Sequence, residues 1–344
     1  MITRQRLRKL RPFLLWLALF YTAWLATLAV GNHWLTAIHH WPIALAMAFG
    51  SYVAGSTPMG GGTVAFPILV LLFDQPATLG RDFSFAVQSI GMVSASIFIL
   101  AVRQPLEATV LKWAMLGSAI GTPLGLLLIA PHAPGLLIKL LFAVVWASFG
   151  LMHLVRLREI TSATGITPTT ERFDRTLGLL IGLGAGATVA SITGVGIDMV
   201  VYAILVLVAR ADLKIAIPTS VVLMAWTSLL GIATRLAQHH LGPHDLHIDP
   251  GVFHNWLAAA PIVALGAPVR ALVVRRLSRT PTLLIVSLLC LLQFTWTLWH
   301  EREAMTPILV VASVAAVLAV NAAFHLLHRY GMRLATRRLT PPPT

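Results

Sequence analysis

Long apolar runs follow one another along the chain with little polar interruption. Eight runs are long enough to cross a membrane as single helices, which need about 20 apolar residues each. Four shorter runs form two pairs, each interrupted by glycines, and such short runs are typical of re-entrant or buried helices. The pattern predicts an all-α polytopic membrane protein. The predicted segments are 12–30, 42–56, 60–73, 83–102, 107–130, 134–155, 177–192, 196–209, 214–236, 252–273, 281–299 and 306–327.

Composition supports this interpretation and removes other classes. Hydrophobic residues make up 57% of the 344 residues and charged residues only 11%, whereas a soluble domain carries about 25% charged residues. An ordinary soluble domain and a disordered chain are therefore excluded. The single cysteine, Cys290, allows no intrachain disulfide and no cysteine-based metal site. We expect no metal and no cofactor.

The basic residues set the expected orientation. The formal net charge is +13, and a cytoplasmic N-terminus places twenty of the 25 Lys and Arg residues on the cytoplasmic side. Arg81 and Arg302 fall in predicted outer loops. Lys139, Arg235 and Arg270 lie near the ends of apolar runs and are expected to snorkel. We therefore expect an inner-membrane protein with both termini in the cytoplasm, whose positive charge faces lipid headgroups rather than nucleic acid.

Two glycine-containing segments resemble each other. Residues 55–73 read GSTPMGGGTVAFPILVLLF and residues 191–209 read SITGVGIDMVVYAILVLVA, aligned without gaps. Each copy is a broken pair followed by three long helices. Because three crossings are an odd number, the second copy is expected to be inverted, which is typical of secondary transporters. Chance similarity between apolar segments is the alternative.

The repeat predicts how the chain is organised. The first run follows five basic residues, and its length favours an uncleaved helix over a signal peptide. The tail after residue 328 is basic, ends in PPPT and is expected to be disordered. The expected parts are 1–41 (basic N-terminus and first transmembrane helix), 42–155 (repeat 1), 156–176 (cytoplasmic linker), 177–300 (repeat 2), 301–328 (last transmembrane helix) and 329–344 (cytoplasmic tail).

The glycine-rich breaks predict an anion site. A break in a membrane helix exposes backbone N–H groups, which are costly in hydrocarbon unless they line a cavity or bind a ligand. A helix N-terminus attracts anions, and glycine allows a ligand to approach the backbone closely. The helices that begin near Gly60 and Gly196 therefore predict a small-anion site between two facing turns.

The two motifs, GSTPMGGGTVAFP and SITGVGID, resemble those of the TauE/SafE sulfite exporter family, and the resemblance covers about 42–300. It implies a permease for sulfite, sulfonates or related organosulfur anions in a bacterial inner membrane. The first motif fits the family pattern, with its three glycines and a following proline. The second departs from the pattern at Ile197, Asp198 and Ala203.

The candidate substrate-binding residues lie at the breaks and on the helices that follow them. The threonines of the breaks either cap helices or donate to an oxoanion. Ser84 matches Ser220 in the repeat, and such polar side chains also serve as hydrogen-bonding glue between helices. The candidates are Thr57, Met59, Gly60, Gly61, Gly62, Gln88, Thr193, Gly194, Gly196, Thr219 and Ser220.

Asp198 is the one acidic residue expected at mid-membrane depth. An ionisable group there indicates function by default, and we expect Asp198 to carry a coupled proton. Structural pairing, for example with Arg270, is the alternative. An ionised carboxylate would repel an anion, so anion transport favours protonated Asp198.

Two glycine ridges and a histidine-rich loop are the remaining features of the sequence. The loop HHLGPHDLHIDPGVFH, at 239–254, is expected to be a solvated outer loop, with metal binding and pH sensing as alternatives. The ridges are expected to be close-packed helix faces, and a homodimer through them remains an expectation. They are Gly117, Gly121 and Gly125, and Gly178, Gly182 and Gly186.

A secondary transporter that moves a small anion by alternating access is the predicted function. An anion channel on the same scaffold and a transporter of small carboxylates are the alternatives. An intramembrane enzyme is disfavoured because the sequence has no HExxH, GxSG or P-loop motif, and GVGID does not match the GxGD pattern. We therefore do not expect an enzyme.

Overall fold

A computed structural model describes residues 4–56, 59, 62–243, 246–273 and 279–339. Helices dominate these residues, and none of them lies in a strand. The helices are α1 (Arg4–Val30), α2 (Trp34–His39), α3 (Trp41–Ser56), α4 (Gly62–Pro67), α5 (Ala77–Ala101), α6 (Ala108–Leu128), α7 (Gly135–Ser162), α8 (Glu171–Ala185), α9 (Ser191–Thr193), α10 (Ile197–Leu207), α11 (Leu213–Leu241), α12 (Pro250–Val273), α13 (Arg279–His300) and α14 (Pro307–Leu339). Two π-helical turns, Ile68–Leu72 and Gly186–Ala190, continue α4 and α8.

Among the described residues, eight helical stretches are long and apolar enough to cross a membrane, so the chain is a multi-pass membrane protein. One of them, Glu171–Thr193, corrects the sequence interpretation, which treated 177–192 as a short segment. The polar first turns of α8 hid the helix start. Gly186, one of the glycines that suggested an interrupted helix, lies in the π-helical turn that continues α8. The shorter apolar helices are Trp41–Ser51, Gly62–Leu72 and Ile197–Leu207.

The second broken pair enters and leaves the bundle at the same end. The segment before α8 and the segment after α10 are joined by two backbone hydrogen bonds. The amide of Thr167 donates to the carbonyl of Ala209 at 2.7 Å, and the amide of Asp212 donates to the carbonyl of Gly165 at 2.6 Å. Phe13 of α1 packs on Phe98 near the end of α5. We call the end where α5 finishes and α6, α8 and α11 begin the basic end.

The helix contacts come in matching pairs. The five elements α3–α7 correspond in order to α8, α10, α11, α12 and α13. The contact of α6 with α8 then corresponds to the contact of α12 with α3. Likewise, the contact of α5 with α12 corresponds to the contact of α11 with α6. The contact of α4 with α5 corresponds to that of α10 with α11, while α5–α11 and α7–α13 pair with themselves.

The two glycine ridges pack against each other inside one chain, on α6 and α8. A Cβ added at Gly117, Gly121 or Gly125 would collide with the backbone of α8 or the turn that follows it. One added at Gly178 or Gly182 would collide with the backbone of α6. The expectation of close-packed helix faces is confirmed, and these faces are occupied within the chain.

The terminal helices hold to the bundle in different ways. Helix α1 is tied to α12 by two hydrogen bonds, from Tyr21 Oη to the carbonyl of Pro261 (2.5 Å) and from Trp24 Nε1 to the carbonyl of Leu257 (3.0 Å). Helix α14 continues to Leu339. The prediction that the chain is disordered after residue 328 is therefore wrong for residues 329–339, which are helical. The basic residues of this segment are compatible with a helix because positive charge is favourable in the last turns of a helix. Between the halves, the described helices leave only 163–170 outside α7 and α8.

Candidate functional site

The start of α4 and the second break meet beside α5. A Cβ added at Gly62, the first residue of α4, would collide with Nε2 of Gln88. It would also lie 2.5 Å from Cγ1 of Val195 and 3.0 Å from Cβ of Ser84. The start of α4, one face of α5 and the second break are therefore in direct contact. We call the group Gly62, Ser84, Gln88 and Val195 the central crossing.

Gln88 brings an unsatisfied amide to the central crossing. Its side chain is 1% exposed, and neither Oε1 nor Nε2 has a hydrogen-bond partner among the described residues. The hydroxyl of Thr63, in the first turn of α4, is also buried without a partner there. An unsatisfied buried polar group costs about 1–3 kcal/mol. Such groups call for a functional explanation when they adjoin a helix break.

The first turn of α4 carries no negative charge of its own. The first turn of α4 contains no acidic residue, and the first N–H groups of a helix have no partner within it. Gly62 allows Gln88 and Val195 to approach, since any side chain there would displace them. Three other candidates, Thr57, Gly60 and Gly61, lie outside the residues that the structure describes.

The second break is a glycine turn closed by its own hydrogen bonds. Gly194 (φ +79°) and Gly196 (φ +99°) adopt left-handed backbone conformations. Gly194 also packs against the carbonyl of Arg81, which leaves no room for a Cβ. The hydroxyl of Thr193 donates to the carbonyl of Val189 at 2.7 Å and accepts from the amide of Val195 at 3.3 Å. These bonds lie within the turn and ahead of α10, whose N-cap is Gly196, and a ligand role of Thr193 stays a prediction.

Asp198 occupies the start of α10. It is 1% exposed, and its Oδ1 accepts a hydrogen bond from the amide of Met199 at 3.0 Å. A carboxylate in the first turn is stabilised by the positive end of the helix dipole. The carboxyl group of Asp198 therefore occupies the start of α10. The side chain of Arg270, the expected pairing alternative, lies outside the described residues.

Thr219 and Ser220 are engaged in local hydrogen bonds of α11. The hydroxyl of Thr219 donates to the carbonyl of Ile215 at 2.7 Å and accepts from the amide of Glu107, at the start of α6, at 2.9 Å. The hydroxyl of Ser220 donates to the carbonyl of Ile217 at 2.9 Å. These bonds favour the structural alternative for both residues.

Met59 lines an apolar cavity of about 410 Å³ between α4, α7 and α13. It is fully buried, and Sγ of Cys290 lies 4.0 Å from its Sδ. Trp146 and Thr63 also line this cavity. The environment of Met59 is therefore apolar, in contrast to the central crossing.

A buried charge cluster was missed by the sequence interpretation. Arg81 and Arg235 both donate to the carboxylate of Asp82, from Nε of Arg81 at 2.8 Å and from Nη2 of Arg235 at 2.9 Å. All three are at most 5% exposed. Arg81 is therefore not in an outer loop, Arg235 does not snorkel, and Asp198 is not the only buried acid in a span. The charges hid the first turns of α5, which begins at Ala77.

A second buried pair was also missed. Nε2 of His153 on α7 lies 3.0 Å from Oη of Tyr202 on α10, and Nδ1 lies 2.9 Å from the carbonyl of Phe149. Tyr202 follows Asp198 by one helical turn, which places both on one face of α10. The position of His153 inside the apolar run 134–155 was the available signal.

The histidine-rich loop carries no metal geometry in its described part. Within the described ranges, no group of three or more His, Cys, Asp or Glu side chains is arranged to hold a metal ion. The rings of His239 and His247 lie 4.7 Å apart, whereas His244 and Asp245 lie outside the described residues.

Apolar helices long enough to span a membrane, together with short apolar helices inside the bundle, are typical of multi-pass membrane transporters. Comparison with protein families then gives the family. The model described as Sulfite exporter TauE/SafE matches residues 43–296, most of the chain, so this protein belongs to that family. The family consists of exporter-type membrane transporters of sulfite and related anions. No curated protein and no solved structure matches the chain.

Proposed function

We propose that this protein is a permease that moves sulfite, an organosulfonate or a related organosulfur anion across the inner membrane by alternating access. The observation that carries the proposal is the central crossing. There the open start of α4 and the second break meet at Gln88, whose buried amide has no partner among the described residues. A ligand oxygen that accepts hydrogen bonds would satisfy the Nε2 donor of this amide.

The paired helix contacts support two halves of inverted topology. Each half contains one broken pair and three long helices, and the contacts exchange between the halves. An inverted repeat allows one half to rock against the other around a fixed site. The mobile interface would include the contact between α5 and α11, which is its own counterpart.

The charge distribution supports a cytoplasmic basic end. The first turns of α8, with Arg172 and Arg175, and the segment with Arg210 and Lys214 lie together at this end, as the backbone bonds of 165 and 167 to 212 and 209 require. Basic residues accumulate on the cytoplasmic side of membrane proteins. The N-terminus, at the same end as Phe98, would then be cytoplasmic as well.

The anion site is asymmetric in this proposal. The first turn of α4 contains no acidic residue, whereas the start of α10 carries Asp198. An anion therefore binds closer to α4, where attraction to the dipole is not opposed by a neighbouring carboxylate on the same helix. The second break forms a rigid wall of the proposed site.

Asp198 is the proposed carrier of a coupled proton. Entry of an anion into the crossing raises the cost of a negative charge on Asp198, so anion and proton would move together. Asp198→Asn removes the titratable group, and transport should lose its pH dependence while substrate binding remains. Uptake by this variant into proteoliposomes across a pH series checks this. An unchanged pH profile would show that Asp198 is structural.

Counterflow tests the function itself. Purified protein in proteoliposomes loaded with unlabelled sulfite should accumulate labelled sulfite transiently, whereas a channel would not. A thermal-stability series with sulfite, sulfonates and carboxylates identifies the ligand class, since a ligand of the native state raises the melting temperature. Stabilisation by carboxylates alone would replace the sulfur anion by the carboxylate alternative. Chemical conversion of the substrate would indicate an enzyme.

A further inference from the structure

A polar cavity of about 380 Å³ lies at the end of the bundle opposite the basic end. It is enclosed by the start of α5, the end of α6, the end of α11 and the segment before α12. Arg81, Asp82 and Arg235 line it, and all three are at most 5% exposed. His247 and Asp249 line it as exposed residues at the rim.

The buried part of this cavity carries excess positive charge. Two guanidinium groups share one carboxylate, so one positive charge is left over among Arg81, Asp82 and Arg235. Gln238 adds none, because its Oε1 accepts from Nη1 of Arg235 and its Nε2 donates to a backbone carbonyl. The carboxylate of Asp249 is exposed to solvent, where its field is screened.

The cavity and the central crossing both contain residues of α5. Arg81, Ser84 and Gln88 are spaced i, i+3 and i+7 and therefore lie on one face of this helix. The carbonyl of Arg81 abuts Gly194 of the second break. Ser84 and Gln88 abut Gly62, the start of α4. An anion in the cavity is thus one to two helical turns from the crossing.

We propose that this cavity is a second anion-binding site, in which Arg81 and Arg235 hold a sulfonate or another oxoanion that competes with Asp82 for their guanidinium groups. The planar guanidinium fork matches the paired oxygens of such anions. This inference rests on the proposed anion transport and adds a station on the non-cytoplasmic side. Asp82 keeps the arginines paired while no anion is present, which limits the cost of burying them.

Calorimetric titration with methanesulfonate and sulfate tests the site in the purified full-length protein. The variants are made in a Gln88→Leu background, so that binding at the central crossing is suppressed. We expect Arg81→Gln and Arg235→Gln to weaken the remaining binding at least about tenfold, the loss of one charge-assisted interaction. Asp82→Asn should tighten it several-fold, because the competing carboxylate is gone.

Arg302→Gln is the matched control. Arg302 lies at the same end of the bundle, but exposed and stacked over Trp299, so its loss should leave anion affinity unchanged. A purely structural ion pair predicts that all three cluster variants lower stability and none changes affinity. That result, or weaker binding in Asp82→Asn, would overturn the proposal.

A second measurement avoids variants that fail to fold. Hydrogen exchange of the wild-type protein should slow at 78–82 and 235–241 when methanesulfonate is added, and no protection there would refute the site. The two proposals also fail separately. If counterflow succeeds but anion affinity does not depend on Arg81, Asp82 and Arg235, only the proposed cavity site is refuted. If anion binding depends on these residues but no counterflow is seen, only the proposed transport is refuted.

Discussion

The two breaks have related sequences but opposite chemistry. The second break satisfies itself, since Thr193 bonds within the turn, Gly194 packs on the backbone of α5, and Asp198 occupies the start of α10. At the first break, α4 begins without an acid, and the adjoining Gln88 has no partner among the described residues. In the proposed site, the second break is therefore the fixed wall and the start of α4 is the side that receives the anion.

The largest expected effect is on the second break. Gly194→Ala forces a Cβ into the carbonyl of Arg81 and places alanine at φ +79°. The left-handed conformation alone costs about 1–2 kcal/mol, and the collision adds to it. We expect a lower melting temperature and little folded protein, measured by size-exclusion chromatography and thermal unfolding. Wild-type stability would contradict the description of this turn as a rigid wall.

Gly62→Ala is expected to affect function more than stability. The added Cβ meets only side-chain atoms, nearest of all the end of Gln88, whereas the Cβ of Gly194→Ala meets backbone. Counterflow should fall about tenfold or more, equivalent to about 1.4 kcal/mol of binding.

Gly184→Ala is the control for both glycine variants. Nothing lies within 4 Å of a Cβ at this position, so folding and transport should both be preserved. Equal loss of stability in Gly62→Ala and Gly194→Ala would erase the proposed difference between the breaks.

Thr193→Val gives the smallest effect. It removes the hydroxyl that ties Val189 to Val195 and should cost about 1 kcal/mol of stability, while Thr193→Ser should keep it. If the hydroxyl only caps the turn, sulfite affinity stays unchanged in both variants. A loss of affinity in Thr193→Val without a loss of stability would make Thr193 a ligand and the second break part of the binding surface.

Local sequence features predicted the membrane helices and the position of the breaks, because hydropathy and glycine motifs act over a few residues. The sequence also selected Gly62 and Gln88 as neighbours of one site, and the structure brings them into contact. It missed the pairing of Asp82 with Arg235, because these residues are 153 positions apart and buried charges look like loop residues in a hydropathy pattern. The sequence did not show that the side chain of Asp198 accepts a hydrogen bond at the start of α10, because such a bond depends on side-chain direction.

The most direct test of the account is Gln88→Leu, followed by two readouts on one preparation. Replacing an unsatisfied buried amide by an apolar side chain of similar size should leave thermal stability unchanged or raise it, since the amide costs about 1–3 kcal/mol. Sulfite counterflow should fall at least about tenfold. Intact counterflow in this variant would contradict a binding site at the central crossing, as would a parallel loss of stability and transport.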